Sequence, residues 1–174
     1  MKILVTGGAG YIGSHTCVEL IQAGFDLVVI DSLCNSSFES ISRVEKLVNQ
    51  NISFYKVDIR DQSALKEIFA KEKIEAVIHF AGLKAVGESV SNPIKYFDVN
   101  ISGTITLLQV MQDFGCKILV FSSSATVYGE ACKAPFKECY PVSATNPYGR
   151  SKLMVEELCR DLVGSDQTYG IAIL

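Results

Sequence analysis

The sequence predicts an α/β domain built on a doubly wound parallel sheet, and three observations carry that prediction. Short apolar runs alternate with helical patterns from one end of the chain to the other. A glycine triplet, Gly8-x-Gly10-x-x-Gly13, follows the first run and opens the first helical stretch. An acidic residue, Asp31, closes the second run.

The runs at 2–6, 27–31, 53–57, 76–80 and 118–122 are short, largely β-branched and bounded by turn or polar residues, which suits strands buried on both faces. Helical stretches are expected near 11–23, directly after the glycines, then near 39–49, 63–71, 93–114 and 147–163. Before the last of these, Asn146 is placed to cap the first turn and Pro147 fits inside it. Strand-helix alternation calls for an open sheet with helices on both faces. No repeat, low-complexity tract or linker interrupts it, so residues 1–174 read as one domain. Residues 169–174 read as a further strand with the sequence stopping inside its apolar run 171–174. The natural protein is therefore expected to continue beyond residue 174.

Composition narrows the class. Of 174 residues 48% are apolar, enough for one globular core. Lys plus Arg total 16 against 19 Asp plus Glu, a net charge of −3 with no basic run, which argues against nucleic acid as a partner. No apolar stretch approaches the ~20 residues of a membrane span. No secretory pattern precedes the glycine loop. Cysteines 17, 34, 116, 132, 139 and 159 form no Cys-x-x-Cys pair and read as reduced thiols of a cytoplasmic protein. His15 and His79 have no ligand spacing and read as structural, so no metal is expected.

The glycine loop has a chemical purpose. A tight turn, close approach of a pyrophosphate to backbone, and close packing of helix on strand each exclude a side chain, so Gly7, Gly10 and Gly13 are candidate dinucleotide contacts. The helix N-terminus adds N–H donors and partial positive charge. Asp31 would accept hydrogen bonds from ribose hydroxyls and repel a 2′-phosphate, which favours NAD over NADP. A solvated strand-end carboxylate is the plainer reading of the same residue.

A second constellation follows in the later half. Ser122, Ser123 and Ser124 end the fifth strand at the carboxyl edge, where ligands bind in such sheets. Tyr148 and Lys152 stand one helical turn apart on one face. A free tyrosine ionises near pH ~10. A lysine cation one turn away, together with the positive nicotinamide ring of NAD⁺, would favour the phenolate and let it act as a base at neutral pH. Ser124 is placed to bond the same substrate oxygen and relay the proton.

Taken together, these residues resemble the extended short-chain dehydrogenases/reductases. Residues 7–16 (GGAGYIGSHT), 31–36 (DSLCNS), 58–60 (DIR), 79–89 (HFAGLKAVGES), 122–129 (SSSATVYG) and 148–156 (YGRSKLMVE) are similar to the UDP-galactose (UDP-glucose) 4-epimerases. Related sugar-nucleotide dehydratases usually carry Thr-Asp-Glu where this chain has Ser124, Ala125 and Thr126, which argues against dehydration. The resemblance implies that Tyr11 and Ile12 lie on the cofactor pyrophosphate. It places Asp31, Asn35 and Ser36 on the adenosine ribose, and Asp58 and Ile59 on the adenine. Phe80, Ala81, Gly82 and Lys84 would line the middle of the cofactor, with Asn100 supporting from the long helix and Tyr148 and Lys152 at the nicotinamide. Lys84, Ser124 and Tyr148 would also meet a UDP-hexose. The implied reaction is a reversible oxidation at C4′ with NAD that interconverts UDP-galactose and UDP-glucose. An NAD-binding module without turnover remains the alternative. The resemblance also implies a carboxyl-terminal substrate domain, absent here, and a homodimer through the helices over 93–114 and 147–163. In these, Ile101, Ile105, Leu108 and Val110, with Leu153, Leu158 and Leu162, give more apolar positions than one sheet-facing stripe requires; the equal alternative is that all of them face the sheet.

Overall fold

Alternate residues along each strand divide the apolar sequence between the two faces of a single sheet. The computed structural model describes residues 1–130 and 134–174, so Cys132 lies outside the described residues. Among these, six parallel strands are β1 (Lys2–Thr6), β2 (Asp26–Asp31), β3 (Ser53–Lys56), β4 (Ala76–His79), β5 (Ile118–Phe121) and β6 (Gly170–Ile173). They lie in the order β3-β2-β1-β4-β5-β6. The helices are α1 (Tyr11–Gln22), α2 (Phe38–Val48), α3 (Gln62–Glu72), α4 (Val86–Ser91), α5 (Pro93–Phe97), α6 (Gly103–Asp113) and α7 (Pro147–Ser165).

On one face Ile3, Val5, Leu27 and Val29 meet Cys17 of α1 and Ile41 and Val44 of α2. On the other, Leu4, Val28 and Ile30 belong to a core with Leu65 of α3, Leu107 of α6 and Val155 of α7. Both faces of the central strands are therefore dry, the condition that continuous apolar runs anticipate. The strand order reverses between β1 and β4, which opens a crevice at their carboxyl ends.

Three strands stop one residue short of the sequence expectation. Val57, Phe80 and Ser122 still donate their N–H groups to the carbonyls of Asp31, Thr6 and His79, at 3.1, 3.0 and 3.2 Å. Beyond these bonds the chain leaves the sheet for the crevice. The stretch expected as one helix over 93–114 contains a π turn, Asp98–Ser102, between α5 and α6. There the Gly103 N–H reaches back to the Asp98 carbonyl, one residue further than an α-helix allows. Gly103 permits close packing, because a Cβ there would sit 2.6 Å from Ile59 Cδ1. Helix α4 and a 3₁₀ turn, Ala125–Tyr128, were not expected from the sequence pattern.

Of the apolar positions read as a pairing surface, Leu108 and Val110 are buried in the fold, and Leu158 and Leu162 pack against the same core. Ile105 stays exposed, as do Val90, Ile94 and Met154 on the same layer of helices. Among the described residues no helix is long and apolar enough to cross a membrane.

Candidate active site

Outside the carboxyl ends of the strands lies a cavity of about 760 Å³, bounded by the segments that follow β1, β2, β3, β4 and β5. Its floor begins at the glycine loop. Gly7 has φ 69° and donates its N–H to Ile30 O at 2.8 Å, and a Cβ there would lie 2.6 Å from the Ala81 nitrogen. At Gly13 a Cβ would collide with Gly7 O and lie 2.7 Å from Gly8 Cα. The loop is thus closed on α1 and on the extension of β4. No side chain caps α1 at Gly10, and the N–H groups of Tyr11, Ile12 and Gly13 have no partner among the described residues. Open donors at a helix N-terminus, beside backbone bared by glycine, fit a diphosphate. Gly10, Tyr11, Ile12 and Gly13 all line the cavity.

Asp31 is buried at the end of β2 and already organises the loops around it. Its Oδ2 accepts the Ala9 N–H at 3.0 Å, and its Oδ1 accepts the Leu33 N–H at 2.9 Å and the Ser36 hydroxyl at 2.7 Å. Two carboxylate oxygens offer about four acceptor sites, so one remains for a ligand hydroxyl. Asp31 and Asn35 line the cavity, whereas Ser36 lies behind Asp31 and acts on it. At the far end Ile59 is buried. Asp58 holds Arg60 through both oxygens, at 3.0 and 2.6 Å, and Arg60 also reaches Asp98 at 2.5 Å. That hydrogen bonding pulls Asp58 below the usual carboxylate range and pushes the Arg60 pKa up.

Phe80, Ala81, Gly82 and Lys84 border the middle of the cavity, and Lys84 is exposed without an ion-pair partner among the described residues. Asn100 stands behind them. Its Oδ1 accepts the Leu83 N–H at 2.8 Å, while its Nδ2 donates to Leu83 O and Ser151 Oγ, each at 3.0 Å. Sequence spacing alone did not show that Asn100 acts through Leu83 rather than on the cavity.

Helix α7 begins as its sequence predicts. Asn146 Oδ1 accepts the Gly149 N–H at 2.8 Å and Pro147 occupies the first turn. Tyr148 lines the cavity at 9% exposure, and its hydroxyl makes no hydrogen bond among the described residues. One turn on, Lys152 Nζ donates to Ser122 O at 2.7 Å and lies 4.8 Å from the Phe121 ring centroid. Burial lowers its pKa to about 8. Ser124 begins the 3₁₀ turn, its Oγ accepting the Thr126 N–H at 3.3 Å and the Thr126 hydroxyl at 3.0 Å. The structure thus brings Tyr148, Lys152 and Ser124 to one end of the same cavity.

Several residues around this group carried no assignment in the sequence. Ser89 Oγ accepts the Tyr148 N–H at 3.2 Å. Glu156, one turn beyond Lys152, is buried and accepts from the Ser123 hydroxyl and, at 2.9 Å, from Arg160. The i, i+4, i+8 spacing of Tyr148, Lys152 and Glu156 places all three on one face and was the available signal.

Comparison with known proteins agrees with this geometry. The family described as GDP-mannose 4,6 dehydratase matches residues 4–173. UDP-glucose 4-epimerase 2 of Arabidopsis thaliana is 57% identical over 176 residues, covering 99% of this chain and 50% of that protein. UDP-glucose 4-epimerase of Bacillus subtilis (strain 168) is 53% identical over 174 residues, covering 100% and 51%. Among solved structures, UDP-glucose 4-epimerase of Bifidobacterium longum in complex with NAD⁺ and UDP matches with a TM-score of 0.97 at 45% identity, covering 99% of this chain and 52% of that one. The Stenotrophomonas maltophila enzyme with bound NAD and formylated UDP-arabinopyranose gives 0.96 at 50% identity, covering 99% and 52%. The chain spans about half the length of the curated relatives it matches. It belongs to the GDP-mannose 4,6 dehydratase family, and within that family its similarity runs to the UDP-glucose 4-epimerases.

Proposed function

We propose that residues 1–174 are the NAD-binding unit of a UDP-hexose 4-epimerase and carry its acid–base group. The observation that supports this most is the placement of the glycine loop, Asp31, and the Tyr148, Lys152 and Ser124 group around one cavity. Gly7, Gly10, Tyr11, Ile12 and Gly13 would hold the diphosphate. Asp31 and Asn35, with Ser36 behind, would hold the ribose, and Asp58 and Ile59 the adenine. Phe80, Ala81, Gly82 and Lys84, supported by Asn100, would border the nicotinamide end, reaching Tyr148 and Lys152. The Asp31 carboxylate disfavours a 2′-phosphate. Arg60 offers that phosphate little, being engaged by Asp58 and Asp98.

A bound NAD⁺ supplies the hydride acceptor for oxidation of the sugar. Tyr148 takes the proton of the 4′-hydroxyl and later returns it, with Ser124 bonding the same oxygen. Lys152 presents a cation one turn away, anchored on the Ser122 carbonyl at the same end of the cavity. Lys84, exposed and without an ion-pair partner among the described residues, would meet the UDP moiety from the rim. The ligands of two solved relatives support this substrate class, one being UDP and the other a UDP-pentose derivative. Exposed Val90, Ile94, Ile105 and Met154 favour a homodimer through this helical layer. Free Cys17, Cys34, Cys116, Cys139 and Cys159 favour the reducing cytoplasm.

The test is Tyr148→Phe in the full-length protein. Only the phenolic oxygen is removed, so NAD binding is expected to persist while epimerisation of UDP-galactose falls by ~10²–10⁴-fold. Turnover within about twofold of the parent would overturn the assignment of the base.

A further inference from the structure

His79 ends β4, directly before the segment 80–84 that lines the cavity, and it has no part in the chemistry proposed above. It is 1% exposed. Both ring nitrogens are occupied, Nδ1 by Thr6 Oγ1 at 2.6 Å and Nε2 by Thr104 Oγ1 at 2.9 Å. Counting hydrogens fixes the sense of each bond. Thr104 Oγ1 gives its single hydrogen to the Asn100 carbonyl at 2.6 Å, because a carbonyl only accepts. It must then accept from His79, so Nε2 carries the ring hydrogen. Thr6 Oγ1 accepts the Ala81 N–H at 3.3 Å and gives its own hydrogen to a bare Nδ1.

The result is a one-way chain from Ala81 through Thr6, His79 and Thr104 to Asn100. It continues through structure already described. The Asn100 side chain clasps both backbone groups of Leu83 and reaches Ser151, whose hydroxyl bonds the Tyr148 carbonyl at 2.7 Å. Thr6, His79, Thr104, Asn100 and Ser151 are all buried, and no buried side-chain polar atom among the described residues lacks a partner.

We infer that His79 is a positioning residue. Held as the neutral Nε2–H tautomer between Thr6 and Thr104, it locks residues 81–83 and the Asn100 turn to the strand that feeds the glycine loop. A protonated ring would send a hydrogen from Nδ1 toward Thr6, whose own hydrogen would then have to leave the imidazole. It would also place a second cation by Lys152, with the Phe121 ring against both groups. Burial, with Lys152 adding to it, lowers the His79 pKa to about 3. The lock exists without ligand; its consequence for binding rests on the dinucleotide reading.

Nitrogen NMR of the histidine-labelled chain, assigned with His15→Gln, tests the tautomer directly. Nδ1 is expected bare and Nε2 protonated from about pH 5 to about pH 9, well past the range where an ordinary imidazole titrates. An Nδ1–H tautomer, or titration inside that range, would overturn the inference. Thr104→Val removes the hydroxyl at nearly constant volume, and Thr104→Ser keeps it. Amide exchange at Ala81 and Leu83 is expected to quicken about tenfold in the first and recover in the second, with Val5 and Val77 unchanged. NAD affinity should follow the same order. Equal effects of both variants, or uniform loosening of the sheet, would also overturn it. Failure of the parent chain to bind NAD would count against the dinucleotide reading, while the tautomer and exchange results would still decide the lock.

Discussion

Lys152 donates its ammonium to the Ser122 carbonyl from a site only 7% exposed, and burial holds its pKa near 8. Between that value and 10.5, the unfolded chain keeps a proton that the folded chain has released. Stability from this group therefore rises with pH across that window, and below it the full cost of the buried cation is present. Lys152→Met is expected to be more stable than the parent at neutral pH, by up to about 3 kcal/mol at ~1.36 kcal/mol per unit. The gain should shrink toward pH ~10. Urea titrations of both chains without cofactor at the two pH values check this; a difference that ignores pH would refute it. The buried cation thus trades stability for a charge beside Tyr148. At this scale the sequence exposed the actors and hid their partners. Tyr148 and Lys152 announce themselves by spacing, and Ser124 by its strand end. The Ser122 carbonyl, Ser89, Ser151 and the Thr6, His79 and Thr104 set meet only through tertiary packing, which no local pattern encodes.

Among the elements, α1 depends most on an absent side chain. With Gly13 against Gly7 O and Gly8 Cα, Gly13→Ala can be accommodated only if α1 retreats from β1. Overpacking of this kind costs about 1–3 kcal/mol. A lower urea midpoint together with weaker NAD binding is expected, by calorimetry on the same preparation. Unchanged affinity would mean that the N-terminus of α1 does not hold the diphosphate. The alternation of strands and long helices was legible because each buries a regular apolar face. Helix α4 was not, being six residues that include a glycine and two serines. Nor was the π turn, since the apolar pattern runs through it without a break; the bonds made at Asn100 join a local contact from Thr104 to a tertiary one from Leu83.

Across the whole molecule, the cavity at the sheet's edge fits the proposed cofactor, while the residues proposed for the substrate would address only its reacting end. Tyr148, Ser124 and Lys84 would meet the sugar and its phosphates, yet hydride transfer requires reacting atoms held roughly 3–3.5 Å apart. The 174-residue chain is expected to bind NAD and to show no epimerisation of UDP-galactose in a coupled assay. Sustained turnover would show that these residues position the whole substrate unaided.

The cavity walls come from the ends of five strands whose order in space differs from their order in the chain. No single segment of the sequence contains the site, and it exists only when β3 at one side and β5 at the other have both joined the sheet. A molecule bound across those ends therefore recognises the completed sheet and has no counterpart in the unfolded chain. By mass action, ligand at a hundred times its dissociation constant adds about 2.7 kcal/mol to the stability of the whole domain. A dinucleotide resident in this cleft would act as a sixth cross-connection of the fold, and its loss would loosen strands far from any atom it touches.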